Sequence, residues 1–385
     1  METIVIAGSI AQKPWHGGHT WVFLQYLLGF KKLGWDILFL DRLESGMCVD
    51  SAGTPCSTEN SVNVPYFLQV MEGFGLNGAY SLACDNGARY IGLQRNEVLR
   101  TIERSTLLLN VMGFLRDEEF LGKARNRVFL DIDPGFGQMW QELGLHASLT
   151  GHDKYVTIGE NIGRSDCGIP TCGLDWITTP QPVITDYWPL SRGSGSDGFT
   201  TVASWRGGYG PIPFRGKTYG LRVHEFRKYI ALPKLTGRLF EAALDIAPSD
   251  AEDRESLEKN GWRLVNPRIT SSDPWMYQAY IAGSNAEFMV AKNMYVETRG
   301  GWFSDRSICY LATGKPVVVQ ETGFNGRYPT GKGLLTFSSL EEAISCVREL
   351  SGNYRSHANA AREIAMEYFD SSKVLSRLVN KLCLN

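Results

Sequence analysis

Residues 3–41 read "TIVIAGSIAQKPWHGGHTWVFLQYLLGFKKLGWDILFLD". A β-branched apolar run is followed by a long segment with apolar residues at helical spacing, which stops at Gly34, and then by a second apolar run, "WDILFLD". Strand, helix and strand in that order make a βαβ unit, because the helix carries the chain back so that the second strand lies parallel to the first. The first turn holds His16, His19 and the adjacent glycines Gly17 and Gly18. Ligands of open α/β sheets bind at such turns, beyond the carboxyl ends of the strands.

The same alternation continues. "STLLLNVMGFL" and "NRVFLDIDPG" predict further strands, and "PLSRGSGSDG" (residues 189–198) breaks the composition with Gly and Ser. The pattern then restarts. Strands are predicted at "FTTVASW", "RLFEAALDI", "WRLVNP", "AEFMVAKN" and "KPVVVQ", and helices at "VHEFRKYIALPKL", "AEDRESLEKNG", "DPWMYQAYIAGS" and "SDRSICYLATG". The fold class is therefore α/β, with two Rossmann-like, doubly wound domains whose parallel sheets are covered on both faces. The expected division is an N-terminal domain over 1–190, a Gly/Ser linker over 191–198, a second domain over 199–360 and a terminal helix over 361–385.

With 385 residues the chain is long enough for two cores. Forty-three per cent hydrophobic residues and a net charge of −2 exclude a disordered chain and remove the basic excess that nucleic acid would select. The expected partner is small and neutral or anionic. The first residues lack a basic, then apolar leader, and no apolar run reaches the length of a membrane span, so a cytoplasmic protein is expected. Eight cysteines without a CxxC pair fit reduced thiols, and Cys167 and Cys172 are the only close pair; no metal site is expected.

Several stretches imitate phosphate loops. "GRYPTGKG" has Gly333 where a Ser or Thr must meet magnesium, "GPIPFRGKT" spaces Gly210 and Gly216 one residue too far apart, and no GxGxxG follows the first strand. Between Ser204 and Lys228, however, six basic residues, Arg206, Arg215, Lys217, Arg222, Arg227 and Lys228, stand against Glu225 alone, starting where a strand ends. Such a segment is either a phosphate contact or a solvated basic loop. In "GGWFSDRS" (300–307), Ser304 or Asp305 can cap the helix that begins near Arg306, turning free N–H groups and a guanidinium towards an anion.

The block from Ala286 to Phe337, with "LATGKP", "VVVQ" and "ETGF", resembles the donor-binding half of GT-B glycosyltransferases. That resemblance implies two Rossmann-like domains facing across a cleft, C-terminal helices that cross back to the first domain, and a nucleotide diphosphate sugar (UDP or dTDP) held by the second. Ser204, Arg206, Lys217, Ser304, Asp305, Arg306 and Ser307 would then meet the donor's phosphates, with Glu321 and Thr322 facing its sugar. Many retaining members carry two glutamates eight positions apart, where this chain has Gly301 and Cys309, so inversion is expected. Many inverting members place a histidine fifteen residues before the glycine that closes the first helix, as His19 stands before Gly34.

His19 is thus the candidate general base, its alternative being a helix N-cap, and His16 is a second, weaker candidate. Asp133, or Asp131, would hold the imidazole in its tautomer, although Asp133-Pro134 is also an ordinary turn. Gly17, Gly18 and Trp21 fall on the acceptor side. The implied reaction moves a sugar to a small-molecule hydroxyl without cofactor or metal. A GT-B sugar-nucleotide epimerase and a non-catalytic nucleotide-sugar binder are the alternatives.

Overall fold

In the computed structural model, which describes residues 2–191 and 198–382, the apolar runs become strands. The first lobe holds β1 (Thr3–Ala7), β2 (Asp36–Leu43), β3 (Tyr80–Cys84), β4 (Arg89–Gly92), β5 (Leu107–Val111), β6 (Arg127–Asp131), β7 (Lys154–Thr157) and β8 (Trp176–Thr178). They form one sheet in the order β4-β3-β2-β1-β5-β6-β7-β8, parallel except for the edge pair β3–β4. The second lobe holds β9 (Phe199–Ser204), the hairpin of β10 (Ile212–Phe214) and β11 (Lys217–Tyr219), then β12 (Phe240–Asp245), β13 (Trp262–Val265), β14 (Ala286–Met289), β15 (Val317–Gln320) and β16 (Leu334–Phe337). Its parallel sheet runs β13-β12-β9-β14-β15-β16.

Strand order reverses beside β1 in one sheet and beside β9 in the other, which opens a crevice at each strand's carboxyl end. Both strands are central. Ile4, Val5 and Ile6 are wholly buried because helices cover both sheet faces. One apolar cluster crosses the lobes, joining Trp21, Phe23 and Phe30 to Tyr277, Met294 and Tyr310.

The first helix, α1 (Gly17–Lys32), has its last turn at Lys31 and Lys32, and Gly34 follows at φ +87°. The segment "VHEFRKYIALPKL" is not one helix: it divides into Val223–Phe226, a 3₁₀ turn and Leu232–Thr236, because the Pro233 ring and missing N–H cannot continue the preceding turn. After Tyr354–Ile364 the chain runs through a π-turn, and the Val183 and Ser371 N–H groups bond Phe369 and Val183 carbonyls. The last helix, Ser371–Lys381, then packs on α1, so tightly that a Cβ on Gly29 would lie 2.6 Å from Leu375. The C-terminal helices therefore do cross back to the first lobe. The Gly/Ser linker falls largely on residues 192–197, outside the described residues. Among the described residues no helix is long and apolar enough to cross a membrane.

Candidate active site

His19 lies in the first turn of α1, and the N-cap position belongs to His16, whose Nδ1 is 2.8 Å from the Pro14 carbonyl and whose side chain caps nothing. The His19 Nε2 sits 3.0 Å from the Ser9 carbonyl. A carbonyl only accepts, so the hydrogen-bond pattern assigns the proton to Nε2 and leaves the Nδ1 lone pair free. Nδ1 has no hydrogen-bond partner among the described residues. Burial first, and the nearby Lys13 ammonium second, lower the pKa of the ring from 6.5 to about 3, so it is neutral at pH 7.

Neither aspartate expected to orient this ring touches it. Asp133 pairs with the Lys292 ammonium at 3.1 and 3.2 Å, and Asp131, 1% exposed, accepts from Gln138 Nε2 and the Thr157 hydroxyl at 2.7 and 2.8 Å. Burial raises Asp131 to about 6. The carbonyl of Ser9, one residue beyond the β1 turn glycine Gly8, orients the imidazole instead.

His19 borders a cavity of about 260 Å³ between the lobes, which Lys13 and Asp133 line from the first lobe and Arg222, Lys292, Ser304 and Arg306 from the second. Arg306 is braced from behind: its Nε donates to Glu287 at 2.5 Å and a terminal nitrogen to the Val202 carbonyl at 2.6 Å. Glu287 lies on the central strand β14 and is fully buried. Arg222 donates to the Val290 and Ser204 carbonyls, and burial followed by the charge of Arg306 lowers it to about 10. Burial also lowers Lys292, whose ammonium lies 4.9 Å from the Phe136 ring centre. The helix Asp305–Ala312 starts at this cavity with Ser304 at its N-cap position, its hydroxyl making no capping bond. Lys13, Arg222, Lys292 and Arg306 outnumber Asp133 and Asp305 there, and burial raises the Asp305 carboxyl towards its neutral form. The cavity is suited to an anion.

A second cavity of about 260 Å³ shares His19 and is lined by Trp15, His16, Gly17 and Gly18 against Ser204, Asp245 and Arg268. The Arg268 guanidinium stands 4.8 Å over the Trp15 ring, bridging the lobes. The two glycines admit protein here: a Cβ on Gly17 would meet the Asp273 carbonyl at 2.1 Å, and one on Gly18 the Tyr277 ring at 3.0 Å. A third cavity, about 470 Å³, lies inside the first lobe at the ends of β1, β2, β3 and β5. Phe114 lines both it and the His19 cavity.

No family model matches the chain, and no curated protein matches it in sequence. Solved structures do match along its whole length. HepE from Anabaena in complex with UDP-glucose is similar at a TM-score of 0.60 and 12% identity, covering 100% of both chains. A glycosyltransferase from Rickettsia africae ESF-5 gives 0.56 and 11%, over 99% of this chain and 97% of that one. An alpha-glucosyltransferase in complex with UDP and a 13-mer DNA gives 0.58 and 10%, over 100% of both. The chain has the GT-B fold.

Within this GT-B architecture the remaining predicted residues divide sharply. Arg206 is paired with Asp250, and Lys217, on the β11 hairpin, with Glu297 at 2.7 Å; neither lines these cavities. Ser307 is wholly buried. Glu321 accepts the Gly323 N–H at 2.5 Å and the Thr322 hydroxyl donates to the Trp302 carbonyl, so both close the turn after β15. Trp21, 1% exposed, donates its indole N–H to the Pro274 carbonyl and packs on Phe74, Tyr187 and Trp188; an indole so enclosed has no face for a ligand. Gly301 has φ +73° with Asn161 of the first lobe filling its Cβ space, and Cys309 is buried beside Gln25.

Sequence reasoning missed Lys13 and Lys292 and named Arg222 only within its basic run. A signal existed: Lys13 follows β1 and Lys292 follows β14, each a lone cation just past a central strand. Among the described residues no three His, Cys, Asp or Glu side chains gather as a metal site requires.

Proposed function

We propose that the protein transfers a sugar, with inversion, from a UDP-linked donor to a hydroxyl of a small molecule. One observation carries the proposal: four cations and a helix start converge, between two facing sheet edges, on the cavity that His19 borders. The diphosphate rests against Lys13, Arg222, Lys292 and Arg306 with the helix N–H groups at Asp305 and Arg306, which together stabilise the charge that grows as it leaves. The nucleoside extends into the adjoining cavity under Trp15 and Arg268.

The acceptor enters through the first-lobe cavity and reaches the donor past Phe114. Its oxygen attacks the anomeric carbon, the bond to the diphosphate breaks, and the hydroxyl proton passes to His19 Nδ1. An imidazole held at about 3 is a weak base; burial is the larger cause and Lys13 the smaller, so a diphosphate beside Lys13 offsets the smaller cause and shifts His19 upward, in the direction a base needs. Inversion follows from a single displacement, since Gly301 and Cys309 put no carboxylate where a retaining mechanism would use one. That similar folds were solved with UDP or UDP-glucose supports uridine over thymidine.

Calorimetry with UDP, dTDP and UDP-glucose tests the donor, and NMR of the product's anomeric proton tests inversion. Tight UDP binding with a new glycosidic bond is the expected result. Conversion of UDP-glucose to an epimer in the absence of any acceptor would overturn the transferase reading.

A further inference from the structure

The first-lobe cavity brings together six charged side chains, and their partners decide what it can hold. Arg95 is fully engaged, donating to Asp117 at 2.7 Å, Glu119 at 2.6 Å and the Tyr90 hydroxyl at 3.0 Å. Glu44 accepts the Asn86 N–H at 2.8 Å. Asp41 accepts the Ala11 and Arg42 N–H groups, each at 2.7 Å, and the Gln12 amide at 3.1 Å. Burial outweighs those donors and lifts its carboxyl to about 7, so it carries only part of a negative charge at neutrality. Arg42 is the contrast: its guanidinium has no carboxylate partner among the described residues, and its Nε is sealed from solvent with nothing to bond. Among the described residues the Arg116 side chain, at the cavity's rim, is bonded only to His146, at 3.3 Å.

We infer that the acceptor bound in this cavity carries an anionic oxygen group, a phosphate monoester or a carboxylate, held by Arg42 with Arg116. Unlike Nε, the terminal nitrogens of Arg42 are not shut off from solvent and have no acceptor among the described residues, and their planar edge fits two oxygens of one anion. Tyr90, Phe114 and Phe120 supply an apolar wall for the body of the molecule, and Phe114 leads it towards His19. The inference rests on the cleft being a transfer site, and its test separates the two.

Calorimetry on the full chain, saturated with UDP so that the donor cavity is filled, compares glucose 6-phosphate, glucuronate and glucose. One of the two anions should bind about tenfold or more tightly than glucose, as a charged hydrogen bond provides, and which one it is distinguishes phosphate from carboxylate. Arg42→Gln should erase that preference while UDP affinity stays at the wild-type value, showing an intact fold. If Arg42→Gln does not fold, Arg116→Gln on the exposed rim should weaken the preference severalfold. Equal binding of the three sugars, no binding of either anion, or a preference that survives in the variants overturns the inference. Failure of wild-type protein to bind UDP would instead remove the donor reading, while an anion preference lost in Arg42→Gln would still stand.

Discussion

The two switch points of this molecule are built on opposite principles. Beside β1, the first lobe presents a neutral ring, held by the Ser9 carbonyl with the Ser9 hydroxyl 3.1 Å from the same nitrogen, and beside it the Lys13 ammonium. Beside β9, the second lobe presents two guanidinium groups that its own buried acid and carbonyls hold in place, Arg306 by Glu287 and Val202 and Arg222 by Val290 and Ser204, and the Lys292 ammonium, which Asp133 of the first lobe holds. A neutral residue on a helix can be exchanged with little strain, whereas a cation braced by a buried acid is part of the core. Chemistry and stability are therefore separable in the first lobe and joined in the second.

The sharpest way to break this comparison is at β14. Glu287→Ala leaves the Arg306 guanidinium buried without its acid, and Arg306→Ala leaves the acid alone; each should cost about 3–5 kcal/mol, because removing one partner of a buried pair exposes the other's desolvation. Urea unfolding measures it, and a loss below about 1 kcal/mol would mean the pair is solvated. In the first lobe, His19→Gln keeps a donor for the Ser9 carbonyl but has no basic nitrogen. Turnover should fall about 10²–10⁴-fold with UDP affinity unchanged. A variant of near-normal activity would take His19 out of the chemistry.

Acid sensitivity gives a subtler separation. The folded pKa of His19, about 3, lies below its unfolded value near 6.5, so the neutral ring's contribution is complete above 6.5 and is lost as pH falls from there towards 3. Unfolding free energies at pH 7 and 4 should differ less for His19→Gln than for the wild type. The smallest effect belongs to the contact that spans the lobes: Arg268→Ala, which removes the guanidinium from the Trp15 face, should lower stability by only ~0.5–1 kcal/mol. A larger loss in the denaturation midpoint would show that the lobes depend on each other more than the buried apolar seam suggests.

The contrast also explains what could be read in advance. β1, α1 and β2 declare themselves through periodicity, and the parallel order of both sheets follows from alternation. The three-residue strands β8, β10 and β11 are too short to show a period, and β7 is only one residue longer. The place of His19 at the cleft agrees with its spacing, but the carbonyl that holds it leaves no mark in sequence. Arg306 reads in the sequence as a guanidinium at a helix start turned towards an anion, with no sign of a buried partner. The warning lay in "AEFM": a glutamate inside an apolar central strand calls for a buried cation, and Arg306 answers it.

The course of the chain at Val183 has a mechanical consequence. The peptide leaves the first lobe just beyond this residue and comes back at Phe369 to Ser371, and the outgoing and incoming strands are bonded to one another. The two crossings between the lobes thus lie side by side, so that a rotation of the second lobe about their line would keep both connections whole. Such a rotation would lift Arg268 off Trp15, part Lys292 from Asp133 and break the Trp21–Pro274 bond, while leaving His19 and its carbonyl together on the first lobe.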